Sequence, residues 1–123
     1  MGIIWFLDSN IIIYLSQKKL DVNDIFKDDT SYAISVITYM EILSYNFAHK
    51  EEGLFIKSLL SLFNIIEIDK NIATEVIKLK KQRKIKLPYA IIIATAILYN
   101  ATLYTNDKQL STIENLQIKS FLI

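Results

Sequence analysis

The 123-residue chain contains no cysteine and a single histidine, His49. Without thiols there is no disulfide framework, no cysteine zinc site and no thiolate nucleophile. One imidazole all but excludes a Ser-His-Asp relay or a His-rich metal centre. Glycine and proline together number only three, which rules out linker-rich, low-complexity and collagen-like chains. Long apolar runs are missing too. The longest, Ala90 to Tyr99, is about half of the ~20 residues a spanning helix needs. The N-terminal run Ile3–Leu7 meets Asp8, with no basic segment or small-residue cleavage site beside it, so a cytoplasmic, soluble protein is expected. Chemistry is left to carboxylates, hydroxyls and amides.

What is present is apolar. Hydrophobic residues make up 52% of the chain, slightly above the ~45–50% usual for soluble domains, and mean hydropathy is +0.29. This surplus fits either a dense core or apolar surface kept for another chain. The length suits one domain, residues 1–123. Charge is divided along it. Residues 1–77 carry 6 basic and 11 acidic side chains, a net −5, whereas residues 78–123 carry 8 and 2, a net +6. Six of the basic residues fall between Lys78 and Lys86.

Short β-branched or aromatic runs at Ile3–Leu7, Tyr32–Val36, Ile65–Ile68, Thr102–Tyr104 and Ile118–Leu122 read as strands. Between them lie helical patterns. Ser9 can cap a helix to Gln17. Thr38 and Glu41 have capping-box spacing and would open a helix to Phe47. Glu51–Phe63 and Asn71–Lys84 are helical in period, and Pro88 suits the first turn of a helix to Tyr99 that Asn100 would stop. Asp107–Ile113 completes the set as a short helix. Strands alternating with helices predict an α/β fold with a mostly parallel sheet.

Ligands in such folds sit beyond the carboxyl ends of the strands. Asp8 directly follows the first strand, Asp107 follows the fourth, and Glu41 is expected in the first turn after the second. Three carboxylates from separate segments would therefore share one rim. Each also has a purely structural reading as a helix cap or dipole partner. Clustered carboxylates repel, and a hard cation such as Mg²⁺ or Mn²⁺ relieves that; an oxygen-only donor set suits such ions rather than zinc.

Four stretches in order make the sequence recognisable: Leu7-Asp8-Ser9-Asn10-Ile11, Ile34–Thr38 with Glu41-Ile42-Leu43, Leu87-Pro88-Tyr89-Ala90-Ile91 with Ala94-Thr95-Ala96, and Leu103-Tyr104-Thr105-Asn106-Asp107. Together they resemble the PIN-domain ribonucleases, most closely the small VapC-type toxins of toxin–antitoxin pairs. The resemblance implies a three-layer α/β/α sandwich and a metal-dependent endoribonuclease using Mg²⁺ or Mn²⁺. It implies Asp8, Glu41 and Asp107 as acidic, metal-holding positions, with Asn10 and Thr105 as polar support. It further implies an RNA substrate, a small antitoxin partner and a homodimer. The apolar stripes around Tyr39–Phe47 and Leu54–Phe63 are the expected contact surfaces.

One position departs from the pattern. The family's remaining acidic residue normally follows the proline, and here that residue is Tyr89. A phenol, neutral at pH 7, is a poor Mg²⁺ ligand. Tyr89 therefore reads as an inactivating substitution, or else as an ordinary amphipathic residue in a divergent active member. Lys78, Lys80, Lys81, Arg83, Lys84 and Lys86 precede that helix. They read either as an RNA-phosphate contact surface or as a solvated helix end favoured by the dipole. Besides the endonuclease, two other readings stand: a non-catalytic RNA- or antitoxin-binding module, and a phospho-receiver. The phospho-receiver needs paired acids after the first strand and an aspartate after the third, which Leu7-Asp8-Ser9 and Ile68-Asp69 supply poorly.

Overall fold

A computed structural model describes residues 4–26, 31–113 and 116–120. Its elements are β1 (Ile4–Leu7), α1 (Ser9–Ser16), α2 (Val22–Ile25), β2 (Ser31–Ser35), α3 (Val36–Leu43), α4 (Lys50–Leu60), β3 (Asn64–Ile66), α5 (Lys70–Gln82), α6 (Leu87–Leu98), β4 (Thr102–Tyr104) and β5 (Gln117–Lys119). A 3₁₀ turn, Lys108–Thr112, lies between the last two strands. The five strands form one sheet in the order β3-β2-β1-β4-β5, and every pairing is parallel.

Alternation along the strands builds two cores. Phe6, Ala33 and Leu103 are paired across the sheet and face α5 and α6 with Ile72, Val76, Leu79 and Ile93. Their neighbours Leu7, Ile34 and Tyr104 face the other way, onto Ile11, Ile12 and Leu15 of α1, Ile42 of α3 and Ile56 and Leu59 of α4. Successive strand side chains point to opposite faces, so a sheet covered on both sides needs apolar residues at consecutive positions. The result is the expected three-layer sandwich.

Helix α6 is buried over Ala90–Ala96, which explains a sequence apolar on every side. Its end has the expected stop. Asn100 takes φ 49°, and the N–H groups of Asn100 and Ala101 return to the carbonyls of Ile97 and Ala96 at 3.1 and 2.9 Å. This Schellman closure uses an Asn in the left-handed region.

Several boundaries differ from the sequence expectation. Asp8, not Ser9, caps α1, its carboxylate accepting from the Ser9 N–H. Helix α3 begins at Val36, with Ser35 as cap accepting from the Ile37 N–H at 3.2 Å. Thr38 is thus inside the helix, its hydroxyl buried and without a hydrogen bond among the described residues. No capping box forms, and Glu41 lies in the second turn. The helix ends at Leu43 rather than Phe47. Helix α4 runs Lys50–Leu60 instead of reaching Phe63, and β3 ends at Ile66. The four-residue α2 has too short a pattern to register as a helix. Asp107 precedes the 3₁₀ turn as its cap. The expected strand ends at Ile3 and at Phe121–Leu122 lie outside the described residues.

Candidate active site

Strand order reverses at β1. The chain steps from β1 to β2 and β3 on one side, then returns to β4 and β5 on the other. The crevice at such a switch point, beyond the carboxyl ends of β1 and β4, is where α/β folds bind ligands. Asp8 and the Thr105-Asn106-Asp107 segment emerge there together. The Asp8 N–H extends the ladder by donating to the Tyr104 carbonyl at 2.9 Å.

Thr105 organises the crevice. Its fully buried hydroxyl donates to Asp8 Oδ2 at 2.8 Å and accepts from the Asp107 N–H at 3.1 Å and Asn10 Nδ2 at 3.3 Å. That uses the one donor and both acceptor positions a hydroxyl has. Asn10 also donates to Asp8 Oδ2 at 3.2 Å and accepts from the Asn106 N–H at 3.3 Å. Asp8 Oδ1 takes the Ser9 N–H at 2.8 Å. The segments after β1 and β4 are thereby stitched into one rigid rim, and Asp107 Oδ1 is oriented by the Gln109 N–H at 3.0 Å.

Asp8, Glu41 and Asp107 line a single cleft of about 410 Å³, with Asn10, Lys86 and Tyr89 on its walls. Burial pushes the Asp8 carboxyl above its ordinary range. Hydrogen bonds from Thr105, Ser9 and Asn10 oppose that shift, and the Asp107 charge adds to it. Glu41 is exposed along much of its side chain, but partial burial of its carboxyl and the Asp8 charge push it up as well. Burial and neighbouring negative charge thus both oppose ionisation of Asp8 and Glu41.

Tyr89 enters this cleft. Its half-buried phenol has a raised pKa, chiefly through the neighbouring Asp107 carboxylate, with burial and the charges of Asp8 and Glu41 adding to the shift. The tyrosine therefore stands among the carboxylates rather than turning to solvent. Among the described residues, no three acidic or imidazole groups close on a common point. Mg²⁺ needs only one or two protein carboxylates, with water completing its shell. The oriented oxygens of Asp8 and Asp107 have the right chemistry for that, with the Tyr89 phenol on the wall of the same cleft.

The basic run lies next to the cleft. Lys80, Lys81, Arg83, Lys84 and Lys86 line a groove of about 950 Å³, closed on its far side by Gln109, Leu110 and Ile113. Lys78 is not on its wall. Lys86 and Tyr89 border both cavities. Sequence reasoning gave Lys86 to the basic run alone and missed its place in the cleft. The available signal was its position immediately before Leu87-Pro88-Tyr89, on the helix start that carries Tyr89.

No curated protein sequence is significantly similar to the chain. Solved structures are. The VapBC2 assembly of Rickettsia felis, bound to a promoter DNA fragment, contains a chain 25% identical with a TM-score of 0.81, the match covering 97% of this chain and 99% of that one. A toxin–antitoxin complex from Klebsiella pneumoniae gives 34% identity and a TM-score of 0.70 over 90% and 93% of the two chains. VapBC-1 of nontypeable Haemophilus influenzae gives 28% and 0.74 over 96% and 98%. The sequence profile of the PIN domain matches residues 5–116. Profile, sheet order and carboxylate rim agree: the chain belongs to the PIN-domain family and has the fold of its VapC-type members.

Proposed function

We propose that this chain is the toxin of a type II toxin–antitoxin pair, a single-domain endoribonuclease dependent on Mg²⁺ or Mn²⁺ whose turnover is impaired by Tyr89. The observation that carries the reading is the Asp8–Thr105–Asn10–Asp107 network at the switch point. It holds two carboxylates in fixed orientation, at a hydrogen-bonding cost that a purely structural rim does not require. When bound, a divalent cation supplies an acidified water and charge stabilisation at a phosphodiester. Asp8 and Asp107 would hold it, and Glu41 would add negative charge at the cleft wall. Thr105 and Asn10 keep Asp8 from rotating. Lys80, Lys81, Arg83, Lys84 and Lys86 would attract the RNA phosphates.

Tyr89 acts against this chemistry. Its phenol shares the cleft wall with Asp107, and its ring fills space where a fourth carboxylate would add charge. That same placement favours the second reading, a PIN-fold module that binds RNA or an antitoxin without cutting. The decisive experiment compares the chain with Tyr89→Asp on RNA across a Mg²⁺ and Mn²⁺ titration with an EDTA control. The expected result is metal-dependent cleavage by Tyr89→Asp at least ~100-fold faster than by the Tyr89 chain. Cleavage by neither selects the binding module.

The antitoxin is expected on apolar helix surface. Similar chains occur in toxin–antitoxin complexes, and Met40, Leu43, Tyr45, Leu54, Phe55 and Leu62 are exposed on or beside α3 and α4. Large apolar side chains gathered on one surface mark interaction sites. A homodimer would use part of the same surface. Sedimentation that finds a monomer at high concentration, with no shift on adding antitoxin, would remove both. No helix among the described residues is long and apolar enough to cross a membrane, and a cytoplasmic site of action is part of the proposal.

A further inference from the structure

The basic groove and the acidic cleft meet at one wall, and that wall is an aromatic ring. Tyr89 borders both cavities. Its ring leans on the core formed with α5 and α6, and that packing restricts how far it can swing. The groove is also organised in advance. Lys80 Nζ donates to the Ile85 carbonyl at 2.8 Å, clasping the α5–α6 connection that carries Arg83, Lys84 and Lys86 back onto α5. Among the described residues no groove cation is engaged by a carboxylate, and Lys80 to Ile85 is the only hydrogen bond that any of their side chains makes. A cationic trough ending on a fixed aromatic ring is the arrangement that holds single-stranded nucleic acid, with phosphates along the cations and a base stacked on the ring.

We propose that the groove and Tyr89 together form a metal-independent site for single-stranded RNA, in which the Tyr89 ring stacks the base at the entrance to the acidic cleft. This rests on the RNA-directed reading above but not on catalysis. Paired bases offer no free face to the ring, so a duplex would use only the cations. An acidic peptide would likewise use the charges and leave the ring idle. The substitution that impairs cutting thus gives the chain a grip on RNA.

The test is fluorescence anisotropy with the full chain in EDTA and a fluorescein-labelled oligoadenylate. Tyr89→Phe, which keeps the ring and removes the hydroxyl, should bind within about twofold of the unaltered chain. Tyr89→Ala should bind about tenfold more weakly, the scale of one missing base–aromatic stack. Inorganic polyphosphate should bind the unaltered chain and Tyr89→Ala equally. The proposal is overturned if Tyr89→Ala binds oligoadenylate as well as the unaltered chain does. It is equally overturned if duplex RNA or polyglutamate binds as tightly as the single strand. Failure of Tyr89→Asp to cleave RNA in Mg²⁺ would remove the endonuclease reading and leave these metal-free measurements to decide the groove.

Discussion

In the acidic cleft one buried hydroxyl, Thr105, spends its whole hydrogen-bonding capacity on fixing two segments. In the basic groove across the Tyr89 wall, five cations make a single hydrogen bond among the described residues. The cleft is precise and electrostatically unfavourable by itself, because burial and like charge both work against ionised Asp8. The groove's cations are exposed, and among the described residues only Lys80 is held by a hydrogen bond. Geometry at the reacting bond needs the first design, since small misplacements are expensive in rate. Affinity for a polyanion needs only the second, because counterion release depends on how many charges meet phosphates more than on their exact placement. The two regions should therefore respond differently to substitution.

The largest effect is expected in the cleft. In the Tyr89→Asp background, adding Asp8→Asn should lower kcat by ~100–1,000-fold with KM nearly unchanged, because it removes a fixed charge from the reacting centre. Single-turnover cleavage measures this directly. A rise in KM at constant kcat would instead make Asp8 a binding residue and erase the contrast. Next comes Thr105→Val, nearly isosteric but with no hydroxyl. It should cost about 1–3 kcal/mol in denaturant unfolding, since an Asp8 oxygen and the Asp107 N–H are left without their partner.

The groove should behave otherwise. Lys81→Gln combined with Lys84→Gln should leave stability within about 0.5 kcal/mol. It should also make the fall of log affinity with log salt shallower by roughly 0.7 for each single-strand phosphate that is no longer neutralised. Titrating RNA binding with salt separates this from a folding defect.

The smallest effect concerns Glu41. Its carboxyl is pushed above the ordinary 4.5 by partial burial and then by the Asp8 charge. A raised acid favours the fold while protonated, and that contribution is lost as pH rises through the folded-state value. Glu41→Gln should accordingly melt slightly higher than the unaltered chain near neutral pH in EDTA, and equally at pH below the ordinary carboxylate range. A higher melting point that persists in acid would mean that charge is not the cause.

The fold was largely legible because its two cores require apolar runs in every central strand, and Phe6-Leu7 or Leu103-Tyr104 have no other comfortable arrangement. Helix starts were harder to read. Val36-Ile37-Thr38 has β-branched side chains, so local preference extends the strand, yet Ser35 can cap at that point and packing of Ile42 decides for helix. Thr38 looked like a cap only because its spacing to Glu41 is right. At the site, Asp8 and Asp107 were legible from their position after strands. The meeting of Tyr89 and Asp107 in one cleft was not, because it joins a helix to a loop and leaves no periodic trace. The division of the basic run was hidden for a related reason: the turn after Gln82 carries Arg83–Lys86 to the groove, while Lys78 stays on α5 away from it.

The sheet order also bears on when the cleft can exist. β1 precedes the other described strands in the chain yet is the central one in the sheet, and the bond from Thr105 to Asp8 spans 97 residues. Among the described residues, every hydrogen bond that fixes Asp8, apart from those with its own helix, comes from the end of β4 or the segment after it. During synthesis Asp8 waits, unsupported, until the 97 residues to Thr105 have followed. A chain not yet extended past Asp107 carries the Asp8 carboxylate but not the rim that orients it. Parallel strands joined at such separation also close slowly.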